Sequence, residues 1–507
     1  MDYFNAVDWL IIVAYLLGII GLGVWFGKDQ HNTRDYFLGS KNTPWWGIGL
    51  SIVAAETSAL TIIGVPALAY GSNLTFIQMI IGYVIARIIL AVGMVPHYLK
   101  GEIYSPYQLF ADRLGASARQ TAGGFFLISE TLAAGVRVYV VSIPVQLMLG
   151  IDVLPAIVLF VVLSLVYTYI GGVKAVIWTD AVQFCLFLAG GIFTVCYIPT
   201  VVDGGWAVVW EKAAAGGKLK WCEPEFSLAA PFNLWMGVIG GTVMVMSSHG
   251  AEQLIVQRVL ACKTVADGRK ALALSAVLIF PLFFVFLLVG AMLWVYYASL
   301  GHPFQIAPPE VKPGSGIQKN DFIYPIFMMT EVPHVLRGCL IVAILSAAMS
   351  SVSSALTSLA SVSTMDFVKH FGRARDEGYY LRFSKYSTVF WALALISVAY
   401  LSRAVEFVLN AAFTLRGLTS GALLGGLMLA VFWRGGRAAP VITGMLASLA
   451  FMVGVSQFTW TVEVGGKLET HKVFWPWYTL IGLVVTLGVA ALVSALMGRG
   501  GGRKQTT

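Results

Sequence analysis

The sequence predicts an all-α membrane protein with about thirteen transmembrane helices, and three observations carry that reading. Hydrophobic residues make up 58% of the 507 residues against 11% charged, and mean hydropathy is +0.80, whereas a soluble domain averages roughly 45–50% apolar and 25% charged. Apolar runs of the length needed to cross a ~30 Å hydrocarbon core, roughly 20 residues each, recur along the whole chain. The basic residues fall in the breaks between those runs, rich on one side of the membrane and poor on the other. The net charge of +8 therefore reads as topology and not as a nucleic-acid surface, because no arm or stripe gathers it.

Run length and charged breaks place the spans at about 6 to 27, 44 to 71, 74 to 97, 120 to 149, 153 to 170, 176 to 200, 232 to 257, 271 to 299, 336 to 366, 386 to 402, 405 to 433, 439 to 459 and 474 to 497. With the N-terminus outside, the inner loops hold 21 Lys/Arg and the outer loops 8, Arg258 being counted with the inner loop that follows the seventh span. Arg87, Arg137, Arg337 and Arg416 lie within spans or at their edges. The positive-inside bias gives N-out and C-in, as an odd number of spans requires. A multi-pass protein of the cell membrane, and of a bacterial inner membrane, is expected.

Other classes find no support. Cys185, Cys196, Cys222, Cys262 and Cys339 show no CxxC pair and no metal-ligand spacing. Met1 to Asn5 run straight into the first span, so no removable signal peptide is expected. GxxxxGK[ST], HExxH and GxSxG are absent, which leaves an ion gradient as the energy source for uphill transport and gives no enzyme. No kinase, PAS or nucleotide-binding domain is expected at the tail RGGGRKQTT. Outer loops 201 to 231 and 300 to 335 are long, and the second holds APPEVKPGSG before DFIYPIFMMT. A solvated loop with a surface helix and a gate over a solute pathway both fit that pattern.

The second span, GIGLSIVAAETSALTIIGVPALAYG, puts Glu56 deep in apolar sequence and Gly64 and Pro66 where a continuous helix loses a hydrogen bond. The seventh, LWMGVIGGTVMVMSSHGAEQLIVQR, has Gly237, Gly240, Gly241 and Gly250 around Ser247, Ser248 and His249. Broken helices at the midplane free carbonyls for cations, and close helix packing is the other use of such glycines. The ninth span, ILSAAMSSVSSALTSLASVST, sets Ser350, Ser353, Ser354 and Thr357 on one face, with Ser351 and Ser358 beside them. Those hydroxyls suit a hard monovalent cation, or bond their own i−4 carbonyls. Asp180, in GGVKAVIWTDAVQF, enters the sixth span, where a carboxylate needs a cation or a donor unless it sits exposed at the helix N-terminus.

DYFLGSKNTPWWGIGLS before the second span, GGVKAVIWTDAVQ before the sixth, GAEQLIVQR closing the seventh and AAMSSVSSALTS in the ninth together resemble the sodium/solute symporter family, which includes proline, sialic acid, sugar and monocarboxylate transporters. The likeness implies an inverted five-plus-five repeat of the leucine-transporter type, with 44–200 against 232–433, the first helix and inner loop at 1–43, and additional helices at 434–507. It implies a main sodium site from main-chain oxygens of Ala54 and Thr57 with the Ala347 carbonyl and the Ser350 and Ser351 hydroxyls. It also implies a second sodium site, found in some members, from Asp180, Ser350, Ser353 and Ser354. Glu56 stands where proline members carry a sodium-supporting aspartate; an ion pair with Arg137 or another intramembrane basic group is its other reading. Thr61 and Ser248 replace the glutamine and tyrosine of sugar members, which counts against a hexose. Arg137, in AAGVRVYVVSIP, aligns with the arginine that binds the substrate carboxylate in sialic acid members, and its alternative is a structural pairing with Glu56 or Glu130.

The expected activity is sodium-coupled import of a small organic anion by alternating access, with Glu56, Thr61, Arg137, Ser247 and Ser248 toward the solute. One or two Na+ ions serve as coupling ions, with no organic cofactor. The partners are the solute and the lipid bilayer, with no nucleic acid, and the transport unit is a monomer. Proton coupling through Glu56, Asp180 and His249, and a sodium-dependent sensor without productive transport, remain open. Arg416, in FTLRGLTSG, departs from the uncharged stretch expected of the family.

Overall fold

The computed structural model describes residues 3–28, 30–57, 59–308, 319–371, 375–404, 406–464 and 467–501. Most of APPEVKPGSG and the end of the C-terminal tail lie outside the described residues. The chain is mainly helical, in the order α1 (Ala6–Phe26), α2 (Trp45–Glu56), α3 (Ala59–Gly71), α4 (Ile77–Gly93), α5 (Ala116–Leu149), α6 (Val153–Tyr197), α7 (Gly205–Ala215), α8 (Thr242–Gly250), α9 (Gln253–Leu260), α10 (Val265–Trp294), α11 (Ile323–Thr330), α12 (Leu336–Val362), α13 (Glu377–Ala404), α14 (Glu406–Phe432), α15 (Ala438–Gln457) and α16 (Tyr478–Gly501). An antiparallel hairpin of β1 (Thr459–Val464) and β2 (Lys467–Lys472) joins α15 to α16.

Among the described residues, seven helices are long and apolar enough to cross a membrane, and the bent pair α2 and α3 makes an eighth. Their environments differ in a way that locates the centre of the protein. The apolar stretch of α12 is 89% buried, whereas those of α1 and α16 are 17% and 22% buried. Leu10, Leu17 and Trp25 on α1 and Leu492 on α16 face outward accordingly, as lipid-facing side chains must. A helix enclosed on all sides can carry hydroxyls without meeting hydrocarbon, and α12 is the serine-rich one.

Three breaks shape the interior. The 45 residues of α6 would make a rod of about 68 Å at 1.5 Å per residue, twice a bilayer core. Gly172, with φ 53° and ψ −153°, interrupts it. A Cβ there would lie 2.4 Å from the Tyr36 carbonyl oxygen, so only glycine makes this corner. The second break separates α2 from α3, which meet at 56°. It falls at Thr57, which has extended φ/ψ of −86° and 102°, and not at Gly64 or Pro66. Pro66 stays inside α3 because α10 packs onto it, Gly290 lying where a Cβ would meet the Pro66 carbonyl oxygen at 2.1 Å. The third break, at Ala251 and Glu252, divides the seventh apolar run into α8 and α9 after a π-helical turn over Met236–Gly241. Arg258 is thereby carried into the interior on α9, fully buried, and does not belong to the inner loop.

The long connecting segments are tied to the helices. Lys218 Nζ donates to the Tyr70 and Ser72 carbonyls, 2.7 Å each, supplying a cation to the C-terminal end of α3. Leu74 N donates to Lys220 O at 3.0 Å, so loop 201 to 231 is anchored. Asp8 of α1 caps α12 from outside the helix, its Oδ1 accepting from Val335 N at 2.8 Å and Gly338 N at 3.3 Å. Where α4 crosses the π-helical turn, a Cβ on Gly82 would meet Gly237 O at 2.1 Å and Thr242 N at 2.6 Å, both main-chain atoms. Gly82→Ala should therefore cost about 1–3 kcal/mol and lower the melting temperature of the purified protein, while Gly18→Ala, with nothing within 4 Å, should leave it unchanged. Equal melting temperatures for both variants would show that the two segments do not touch as described.

Candidate functional site

The end of α2 leaves carbonyls without helical partners. Thr57 N turns back to Val53 O at 2.9 Å, which satisfies one of them. The next, Ala54 O, faces Ser350 Oγ of α12 at 3.3 Å. Ser350 Oγ also lies 2.7 Å from Asp180 Oδ1, and a hydroxyl has a single proton. Given to the nearer, charged acceptor, that proton leaves Ala54 O facing a lone pair. Three residues along, the buried Thr57 Oγ1 has no hydrogen-bond partner. The Ala54 O–Ser350 Oγ pair, with no proton between its atoms, at a helix break and with an unpartnered hydroxyl three residues along, suits a dehydrated alkali cation. Ser351 Oγ donates to Ala347 O at 3.0 Å, and Ser351 lines a cavity with Arg137, Val138, Phe160, Ala348 and Val352. Ala54 and Ser350 are thus held against each other between the broken span and the enclosed helix, with Ala347 and Ser351 bonded to one another on the same helix as Ser350.

Asp180 sits beside this place, fully buried two turns beyond the Gly172 corner, so it is not an exposed N-terminal residue. Its Oδ2 accepts from Ser51 Oγ at 2.7 Å and from Arg258 Nη2 at 2.8 Å. Arg258 reaches further, to Ser51 Oγ through Nε at 2.8 Å and to Ser354 Oγ through Nη2 at 2.5 Å. A guanidinium therefore neutralises the carboxylate in this arrangement. Of the other hydroxyls on α12, Ser353 and Ser354 donate to Ser350 O at 3.0 and 2.7 Å, Thr357 to Ser353 O at 2.9 Å and Ser358 to Ala355 O at 3.0 Å. These four follow the back-bonding pattern, whereas Ser350 sends its hydroxyl toward Asp180 of α6 and Ala54 of α2, and Ser346, a turn earlier, sends its own to Tyr15 of α1 at 2.8 Å.

Two further sets of charges involve the residues expected toward the solute. Glu56 pairs with Arg87 of α4 and not with Arg137, and His249 Nε2 is 3.5 Å from the same carboxylate oxygen. Ser248 Oγ meets His249 Nδ1 at 2.9 Å, so the polar end of α8 joins the group. Ser247 Oγ turns away to Ser420 O of α14 at 2.8 Å. Arg137 pairs with Glu130 at 2.5 Å, seven residues back on α5. Arg416 pairs with Glu252 at the third break, 2.6 Å away. Thr61 is half-buried on α3, and among the described residues no hydrogen bond links it to the other candidates. Sequence reasoning missed Arg258, because the apolar run ends just before it, and left Arg87 without a partner, because Glu56 is 31 residues away.

Residues 36–447 match the family described as Sodium:solute symporter family. The sodium/sialic acid symporter SiaT of Proteus mirabilis is 28% identical over 462 residues, covering 88% of each chain. The human sodium/iodide cotransporter is 26% identical over 461 residues, 89% of this chain and 70% of that one. A solved Na+-coupled sialic acid symporter in a substrate-bound outward-open state has a TM-score of 0.84 at 25% identity, covering 97% of this chain and 98% of its own. A nucleobase-cation-symport-1 transporter shares the fold more distantly, with a TM-score of 0.55 at 12% identity. On the extent of that match, with two broken spans around an enclosed serine-rich helix, the chain belongs to the sodium:solute symporter family.

Proposed function

We propose that the protein is a sodium-coupled symporter that imports a small organic anion by alternating access. The observation that carries the ion site is the proton count at Ser350, whose hydroxyl cannot serve both Asp180 Oδ1 at 2.7 Å and Ala54 O at 3.3 Å. A sodium ion between Ala54 O, Thr57, Ala347 O, Ser350 and Ser351 satisfies the oxygens left over, and hard cations favour oxygen ligands. A second sodium at Asp180, Ser350, Ser353 and Ser354 requires Arg258 to release Asp180, because another positive charge beside a neutral buried pair has nothing to balance it. Sodium entry would then both complete the site and free α9, the half-helix that carries Arg258.

The architecture proposed for this cycle has thirteen membrane helices, with 44–200 and 232–433 as inverted repeats and the chain running N-out to C-in. The sidedness rests on the 20 inner basic residues that remain once the buried Arg258 is left out, against 8 outer ones. An anionic solute is supported by Arg137, which opens onto the cavity shared with Ser351 and keeps its charge in apolar surroundings. It is also consistent with the anions named for relatives, sialic acid and iodide.

Proteoliposomes loaded without sodium and diluted into labelled sialic acid, lactate or iodide should accumulate one of them only under an inward sodium gradient. Accumulation that ignores sodium and follows a pH gradient would replace this reading with proton coupling. Ser351→Ala should raise the sodium concentration for half-maximal uptake about tenfold, the effect of losing one oxygen worth ~1–2 kcal/mol. If sodium kinetics stay the same in both Ser351→Ala and Asp180→Asn, the ion sites are elsewhere. Arg137→Lys keeps the charge but loses the fork, so it should weaken anion uptake less than Arg137→Gln; equal KM values for both variants and the native protein would remove Arg137 from the solute site.

A further inference from the structure

Two buried carboxylates and two partly exposed guanidiniums that the ion site does not use form a chain over α5, α14 and the start of α9. Glu130 and Arg137 lie two turns apart on α5, with Arg137 Nη2 2.5 Å from Glu130 Oε1. The other oxygen, Glu130 Oε2, lies 3.7 Å from Nη1 of Arg416 on α14. Arg416 Nη2 is in turn 2.6 Å from Glu252 Oε2, and Glu252 is the N-cap residue of α9. The side chains of Glu130 and Glu252 are 2% and 7% exposed, while those of Arg137 and Arg416 are 16% and 31% exposed. The carboxylates are thus shielded and the guanidiniums are the more open members.

Glu130 is divided between two cations, and that division decides what Arg137 can offer. Arg137 spends Nη2 on Glu130 and Nε on the Ala133 carbonyl at 3.3 Å, leaving Nη1 without a partner among the described residues. Each Nη carries two N–H groups, so Glu130 takes one proton of Nη2 and the Nη1–Nη2 edge still offers two parallel N–H groups to an anion. What Glu130 takes is charge: its carboxylate offsets the guanidinium that an anion has to meet, and it does so less when it swings toward Arg416, which already stands within 3.7 Å of its second oxygen. We infer that Glu130 and Arg416 set the affinity of the solute site, Glu130 as a built-in competitor for Arg137 and Arg416 as the positioning residue that draws this competitor away. This rests on Arg137 being the partner of the solute anion.

The two residues act with opposite sign, which a structural role would not produce. In sodium-driven uptake of labelled sialic acid, lactate and iodide by proteoliposomes, Glu130→Gln should lower the KM for the transported anion about tenfold, since the competing carboxylate is gone. Arg416→Met should raise it by about the same factor, because Glu130 is then left entirely to Arg137. The double variant should show the KM of Glu130→Gln, because Arg416 acts through Glu130. Arg416→Lys should restore part of the native value. Arg416→Met leaves Glu252 buried and unpaired, so Arg416→Met with Glu252→Gln is the version to use if the single variant does not fold. Glu130→Asp, with its shorter reach, should shift KM downward if Glu130→Gln does not fold.

Melting temperature and maximal rate are measured alongside, and changes confined to them, with KM fixed, overturn the inference. Arg137→Gln separates the two levels. If it raises KM while Glu130→Gln and Arg416→Met do not move KM in opposite directions, this inference alone fails. If it leaves KM unchanged, or if the native protein takes up none of the three anions, the anion reading fails and the inference with it.

Discussion

Hydrocarbon offers no hydrogen bonds, and the interior of this protein is organised by that single deprivation. Every carbonyl freed by a break and every charge carried into a span has to be answered by another part of the chain. The Ala54 carbonyl is met by Ser350, Asp180 by Arg258 and Ser51, Glu56 by Arg87, and Glu130 by Arg137. Each pairing joins elements far apart in sequence, except the last. Taken together they fix which helices are neighbours: α2 against α12, α6 against α9, α4 against α2. Apolar packing alone would permit many arrangements of such similar surfaces, and these few polar contacts select among them.

The arrangement also separates two jobs that both need charge. The oxygens proposed to hold sodium are nearly all neutral, carbonyls and hydroxyls drawn from a broken span and an enclosed helix. The full charges stand around them in compensated groups, so a cation entering the centre meets dipoles first and a net charge close to zero. Arg137 and Ser351 line the same cavity, which brings the proposed ion and solute sites into contact through one adjoining surface. Coupling between two ligands requires that each change the free energy of binding the other, and a shared wall provides the shortest route for it.

Much of this was legible in the chain itself, and the parts that were not have physical reasons. Composition announced a membrane protein, because lipid is the one solvent such a surface tolerates. The i, i+3, i+4, i+7 spacing of Ser350, Ser353, Ser354 and Thr357 announced a polar face on one helix. Where the breaks fall was harder. Gly64 and Pro66 weaken a helix locally, yet both stay within α3, Pro66 packed against Gly290 of α10, and the chain parts instead at Thr57, whose type gives no such signal. Arg258 looked like a loop residue because hydropathy measures a run and not the half-turn that carries one cation inward. Partner choice was the least legible: Glu56 has several intramembrane bases within reach on paper, and only the three-dimensional placement of α4 selects Arg87. In the hairpin only β1, Thr459–Val464, alternates polar and apolar residues, and it is short and sits between two long apolar runs that dominate any average.

The corner at Gly172 sets a measure for the chain that follows it. Asp180 stands eight residues beyond that corner, and the corner is pinned against the Tyr36 carbonyl with no room for a side chain. Adding or removing one residue between them would turn the carboxylate by about 100° around the helix and slide it by about 1.5 Å, out of reach of Ser51, Ser350 and Arg258 at once. This short stretch therefore works as a ruler: it accepts changes of side chain, but its length is not free to drift.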